Sequence, residues 1–275
     1  RRVCLTRAPR IVREGTDRAY GQLKAQVPDN LDGVLRGLER GSFLSHHDDE
    51  ALRDIPALVA ELRRHLGDVT AADVVRLLSY NSFVANIDKV MSNLPNLAAL
   101  LRHHVGELPP DSLVRILCTN SFVSRLDAMM LKLPDLAATL RREIDGITPD
   151  DLTRILCTDS FVANVDTMML RLPDLVALLR RHVGELKTDD LVRILCTNSF
   201  VSRLDAMMLK LPDLAATLRR HVGDIAPVEF ARILTTDSFV ANVDTMMLRL
   251  PDLVALLRRH VGELKTDDLV RILCT

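Results

Sequence analysis

Between residues 148 and 186 the apolar positions keep helical spacing but change phase along the chain. Leu152, Ile155 and Leu156 form one short stripe. Ahead of them, Thr148-Pro149-Asp150-Asp151 supplies a capping hydroxyl, a proline for the first turn and acids at the positive end of the helix dipole. Isolated helices shorter than about 12–15 residues are marginal, so packing must hold this one. A break is predicted at Thr158-Asp159-Ser160, followed by a second helix carrying Phe161, Val162, Val165, Met168, Met169 and Leu172. Pro173 then removes a backbone donor, and either bends that helix or opens a third one with Asp174 next. Leu175, Leu178, Leu179 and Val183 continue the stripe, Arg180 and Arg181 sit near its negative end, and Gly184 suits a left-handed C-cap. The pattern predicts two or three helices and leaves the choice open.

This pattern recurs every 39 residues. Thr158 to Leu186 returns letter for letter as Thr236 to Leu264, and Leu113 to Arg142 returns as Leu191 to Arg220, so two flavours alternate with a period of 78. A fixed period of this length marks a solenoid, in which each repeat buries its apolar face against its neighbours. Aligned on the recurring Leu-Pro-Asp-Leu, full repeats cover 70–108, 109–147, 148–186, 187–225 and 226–264, with a partial one at 265–275. Residues 31–69 form a degenerate copy, as a terminal repeat should, and residues 1–30 form a cap. The predicted fold is all-α: a right-handed α-solenoid, or superhelix, of helical hairpins whose second helix is kinked by proline.

Composition narrows the chemistry. Two Tyr, seven Phe and no Trp leave few platforms for stacking single-stranded bases. Net charge is −1, but residues 1–30 carry Arg1, Arg2, Arg7, Arg10, Arg13, Arg18 and Lys24 against Glu14, Asp17 and Asp29. That basic end is a candidate phosphate-binding segment; a solvated end is the plainer reading. Cys118, Cys157, Cys196 and Cys274 share one repeat position, where other copies have Ser79 and Thr235. This interchange predicts small half-buried packing residues in a reducing compartment, not disulfides or metal ligands. No apolar run is long enough to span a bilayer, and no signal peptide is visible. The chain opens without Met and stops inside a repeat, so we expect flanking sequence beyond it.

Other candidates read as structural. His65, His104, His182, His221 and His260 recur once per repeat, with Glu143 in the copy at 109–147, which suits a surface position better than a metal site. His46-His47-Asp48-Asp49-Glu50 is a polar loop with no ligand-spacing template. Met168-Met169 and its copies form an adaptable core stripe. No nucleophile with a base, phosphate-cradling glycine loop or paired catalytic carboxylates stands out, so a monomeric, non-enzymatic chain without cofactor or metal is expected.

The turn after the first helix is the most informative segment: Tyr80-Asn81, Thr119-Asn120, Thr158-Asp159, Thr197-Asn198 and Thr236-Asp237. Only Asn or Asp follows the first residue. Both are preferred N-caps, so a cap on the second helix explains the turn by itself.

A wider register adds a second explanation. The run TPDDLTRILCTDSFVANVDTMMLRLPDL, with its Thr-Pro-Asp opening, its Val165-Asp166-Thr167-Met168 and its Leu172-Pro173-x-Leu, resembles the DNA-binding repeat of transcription activator-like (TAL) effectors. The spacing from Pro149 to Pro173 matches that between the two prolines of the family repeat, and the likeness covers about the first 28 residues of each repeat. The resemblance implies a bacterial effector that regulates transcription, with a host nucleus as its address. It further implies that Tyr80, Thr119, Thr158, Thr197 and Thr236 brace the turn. Asn81, Asn120, Asp159, Asn198 and Asp237 would each touch one base in the major groove. Asn can bond a purine's groove edge, and a carboxylate can accept from the cytosine amino group. This chain departs from the family in two ways: Ser160-Phe161 stands where the family has a glycine pair, and extra residues follow Pro173.

The expected function is therefore a double-stranded DNA-binding array reading about one base pair per repeat. With Gly41 in the same slot, the implied order is T, purine, purine, C, purine, C. The alternative is a protein-interaction solenoid of the armadillo or HEAT type, holding a peptide or helix on its concave face. Repeat 148–186 carries Arg154, Arg171, Arg180 and Arg181 against six acids, a balance that suits phosphate binding only if the arginines face the ligand. For Arg180-Arg181 a solvated pair complementing the helix dipole is the expected role.

Overall fold

The computed structural model describes residues 49–261 and 264–274, and among them every regular element is a helix. The basic segment with Arg1, Arg2, Arg7, Arg10, Arg13, Arg18 and Lys24 lies outside the described residues, as do Gly41 and His46-His47-Asp48. The chain divides into two compact halves, Arg1–Leu133 and Pro134–Thr275.

The described part of the first half holds α1 (Asp49–Leu66), α2 (Ala71–Leu78), α3 (Asn81–Ala85), α4 (Ile87–His104), α5 (Pro110–Leu117), α6 (Asn120–Ser124) and the start of α7 (Leu126–Glu143). The second continues α7 and adds α8 (Pro149–Leu156), α9 (Asp159–Ala163), α10 (Val165–His182), α11 (Thr188–Leu195), α12 (Asn198–Ser202), α13 (Leu204–His221), α14 (Pro227–Leu234), α15 (Asp237–Ala241), α16 (Val243–Val261) and α17 (Thr266–Leu273). Like packs on like within each half. In the second, α8, α11, α14 and α17 form one stack, α9, α12 and α15 another, and α10, α13 and α16 a third. In the first, α1 meets α4, α2 meets α5 and α3 meets α6.

Each full repeat from 70 to 264 thus has three helices, which corrects the expected hairpin. The break falls at Asn164, not at Pro173. Asn164 leaves the helical region (φ −109°, ψ 21°), and its Nδ2 donates to the Ser160 carbonyl at 2.8 Å, ending the five-residue helix. The chain then runs through Pro173 as one 18-residue helix. An interior proline costs about 3 kcal/mol in an isolated helix. Here Val165, Met168 and Leu172 before it, and Leu175, Val176 and Leu179 after it, are all buried, and burial of each large side chain contributes about 1.5–3 kcal/mol. Tertiary packing outweighs the local preference.

The eight-residue helices start as their sequences predict. Thr148 is the N-cap of α8: its hydroxyl accepts from Asp151 N–H at 3.2 Å, and Asp151 Oδ2 accepts from Thr148 N–H at 3.1 Å. Thr70 and Asp73 repeat this box at α2. The five-residue helices are far too short to stand alone. Each is pinned by a Phe-Val pair, and Phe83, Phe122, Phe161, Phe200 and Phe239 are among the largest fully buried side chains. Gly184 follows the end of α10 with φ +108°, and a Cβ there would lie 3.2 Å from Pro227 Cγ at the start of α14, two repeats further on. Conformation and space both demand glycine.

Candidate nucleic-acid interface

The turn between the first two helices is built without glycine. Thr158 is extended (φ −95°, ψ 108°) and occupies the N-cap position of α9, so Asp159 is the first helical residue. Thr119, Thr197 and Thr236 sit alike before Asn120, Asn198 and Asp237, and Tyr80 sits before Asn81. The Asn and Asp residues are therefore not N-caps, and the simpler explanation of the turn falls. Ser160 and Phe161 are ordinary helical residues, and among the described residues no non-glycine has positive φ.

The threonines do not cap forward. They donate back to the carbonyl four residues earlier: Thr119 to Arg115 at 3.2 Å, Thr158 to Arg154 at 3.0 Å, Thr197 to Arg193 at 2.9 Å and Thr236 to Arg232 at 3.0 Å. Each bond satisfies a carbonyl at the end of the first helix and fixes the direction in which the chain leaves it. Thr119 and Thr197 are buried, Tyr80, Thr158 and Thr236 half-buried. Asn81, Asn120, Asp159, Asn198 and Asp237 are all exposed.

Successive turns touch. In the first half, Ser82 Oγ donates to Asn120 Oδ1 at 2.6 Å. In the second, Ser160 Oγ donates to Asn198 Oδ1 at 2.7 Å, and the backbone N–H of Ser199 donates to Asp237 Oδ1 at 3.2 Å. The exposed turn residues of adjacent layers are joined edge to edge by these bonds.

A recurring set of basic side chains is committed between layers. Arg154 Nη1 lies 2.8 Å from Asp189 Oδ1 and 3.4 Å from Asp151 Oδ1. Arg76 meets Asp111 at 3.4 Å, Arg171 meets Asp205 at 3.1 Å, Lys89 meets Asp127 at 2.8 Å, and Lys210 pairs with Asp244. Arg102 and Arg219 donate to the carbonyls of His65 (2.6 Å) and His182 (2.5 Å), and Arg180 reaches Glu143 O at 3.4 Å. Arg102, Arg180 and Arg219 thus cap the preceding long helix, a more specific role than a solvated charge.

The two repeat flavours differ at one telling position. Asn164 and Asn242 close their own short helices through Ser160 O and Ser238 O, whereas Arg203 donates to Ala241 O at the end of α15 in the following layer. Cys196 is half-buried, and burial pushes its thiol up from the ordinary value against the hydrogen bond with Thr158 and the charge of Arg154. Such a thiol is a packing group. Among the described residues no cluster of His, Cys, Asp or Glu could hold a metal ion, and no helix is long and apolar enough to cross a membrane.

One surface feature escapes the sequence pattern. Leu131 in the first half, and Leu170, Leu209 and Leu248 in the second, share one repeat position and are 72–79% exposed. Met168 beside them is buried and Met169 half-buried. The repeated Leu one residue after the Met pair is the only signal in the sequence, and its helical phase is ambiguous because the break at Asn164 resets it.

The architecture defines an all-α array of three-helix layers with a continuous edge of polar turns in each half. No known protein family, curated protein or solved structure matches the chain.

Proposed function

We propose that this protein is a right-handed α-solenoid that binds double-stranded DNA, one layer meeting one base pair through Asn81, Asn120, Asp159, Asn198 and Asp237. One observation carries the reading: within each half, successive turns hydrogen-bond to one another while their Asn and Asp side chains stay exposed. Packed helices are spaced about 8–10 Å apart, whereas base pairs rise about 3.4 Å. One-to-one reading therefore requires the readers to lie on the most crowded edge of the stack. Turns close enough to share hydrogen bonds support a reading edge more crowded than the helix axes.

Phosphate contact falls chiefly to the basic segment at residues 1–30, because Arg76, Arg154, Arg171 and their like are engaged with neighbouring layers. A mobility-shift assay at stated salt, comparing a duplex of order T, purine, purine, C, purine, C with a scrambled one, tests the proposal. Tighter binding of the ordered duplex is expected; equal or absent binding rejects it.

The exposed row Leu170, Leu209, Leu248 favours a second reading, a protein-binding array whose partner lays apolar side chains along that row. Replacing the three leucines with Ser leaves DNA selectivity intact under the first reading. Under the second it removes partner binding.

A further inference from the structure

We propose that Ser82 and Ser160, the serines whose hydroxyls bond the Asn reader of the next layer, are positioning residues that set which atoms Asn120 and Asn198 present. The inference rests on the DNA-reading proposal above. Ser160 Oγ donates to Asn198 Oδ1 at 2.7 Å, and Ser82 Oγ does the same to Asn120 Oδ1 at 2.6 Å. Each bond engages the carboxamide oxygen with the preceding layer, so the Nδ2 amino group is the part of the side chain left to meet a base.

A carboxamide that pairs with adenine must both accept from N6 and donate to N7, whereas guanine presents two acceptors, N7 and O6. An amino group whose carboxamide oxygen is so engaged serves guanine's two acceptors and only one atom of adenine. Ser82 and Ser160 therefore make Asn120 and Asn198 select guanine over adenine, and the two purine positions they face are not equivalent to generic purines. Asp237 is set differently. Its Oδ1 takes the backbone N–H of Ser199, which leaves its second oxygen as the acceptor for a base, and the Ser199 hydroxyl has no part in that bond.

This asymmetry supplies an internal control. In the full chain, Ser160→Ala removes the bond to Asn198, Ser160→Thr keeps a hydroxyl, and Ser199→Ala leaves the backbone bond to Asp237. Affinities are measured for duplexes that differ only by guanine or adenine at the base faced by Asn198. One net hydrogen bond corresponds to roughly 3- to 10-fold in affinity, so the original chain and Ser160→Thr should prefer guanine by that factor. Ser160→Ala should bring the ratio close to one while preferences at the other bases stay put, and Ser199→Ala should change nothing at the base faced by Asp237.

A Ser160→Ala chain that keeps the full guanine preference overturns the positioning role while leaving DNA reading intact. An original chain that binds no duplex overturns both. Should Ser160→Ala not fold, Ser82→Ala read at the base faced by Asn120 decides the matter by the same ratio.

Discussion

Arg154 reaches out of α8 to Asp189 in the first turn of α11, Nη1 to Oδ1 at 2.8 Å, tying one layer to the next across 35 residues of sequence. The hydrogen bond to Asp189 raises the guanidinium above its ordinary value despite partial desolvation. Both side chains remain more than a third exposed, so solvent screens the pair and its worth is at most about 1 kcal/mol. Arg154→Met should lower stability by no more than that, and the deficit should shrink in 1 M salt, where the Debye length is about 3 Å. Urea unfolding at low and high salt measures both; a salt-independent loss well above that bound would show that Arg154 acts through packing.

The phenylalanines of the short helices should matter far more. Phe161 and Phe200 are fully buried, and Phe→Ala in a core typically costs about 3–5 kcal/mol. Phe161→Ala and Phe200→Ala should each be destabilised by that amount in chemical denaturation. Losses below about 1 kcal/mol would mean that the five-residue helices are not anchored by these rings.

Glu229 in α14 faces Asp267 at the start of α17. A hydrogen bond between their carboxyl groups raises Glu229 above its ordinary value of 4.5, burial adds to this, and the N–H of Ala226 opposes it. A raised folded value means that the folded chain holds the proton more tightly. The stabilising contribution is complete below the unfolded value and is lost as pH rises through the folded one. Glu229→Gln mimics the protonated form, so it should raise the melting temperature at pH 7 and leave it unchanged at pH 3. An equal shift at both pH values would sink the assignment.

If the basic segment supplies the phosphate contacts, binding should lose salt dependence when Arg1, Arg2, Arg7, Arg10 and Arg13 are replaced by Gln. Each phosphate contact contributes about 0.9 to the slope of log affinity against log salt. The slope should fall by up to about 4.5, with the order of base preferences retained. An unchanged slope would move the phosphate contacts onto the layers.

Much of the architecture is legible in the chain. The repeat length, the Thr148 cap, the proline at the first turn, the half-buried Cys196 and the left-handed Gly184 follow from local chemistry, because caps, turns and glycine angles involve residues a few positions apart. The turn positions were visible too, but not their roles: Asn or Asp beside Ser satisfies the rule for an N-cap, and only the observed backbone shows that the threonine holds that place. Leu170 was missed because its helical phase depends on where the preceding helix stops.

By itself the sequence determined that repeats must pack on their neighbours, since a 39-residue unit of short helices has no other surface on which to bury Phe161, Leu172 and Leu179. Tertiary structure alone decided that the helix continues through Pro173 and that Ser160 meets Asn198. Both outcomes depend on a neighbouring layer 39 residues away, whose packing exceeds the cost of a lost backbone bond and whose side chains no local rule can place.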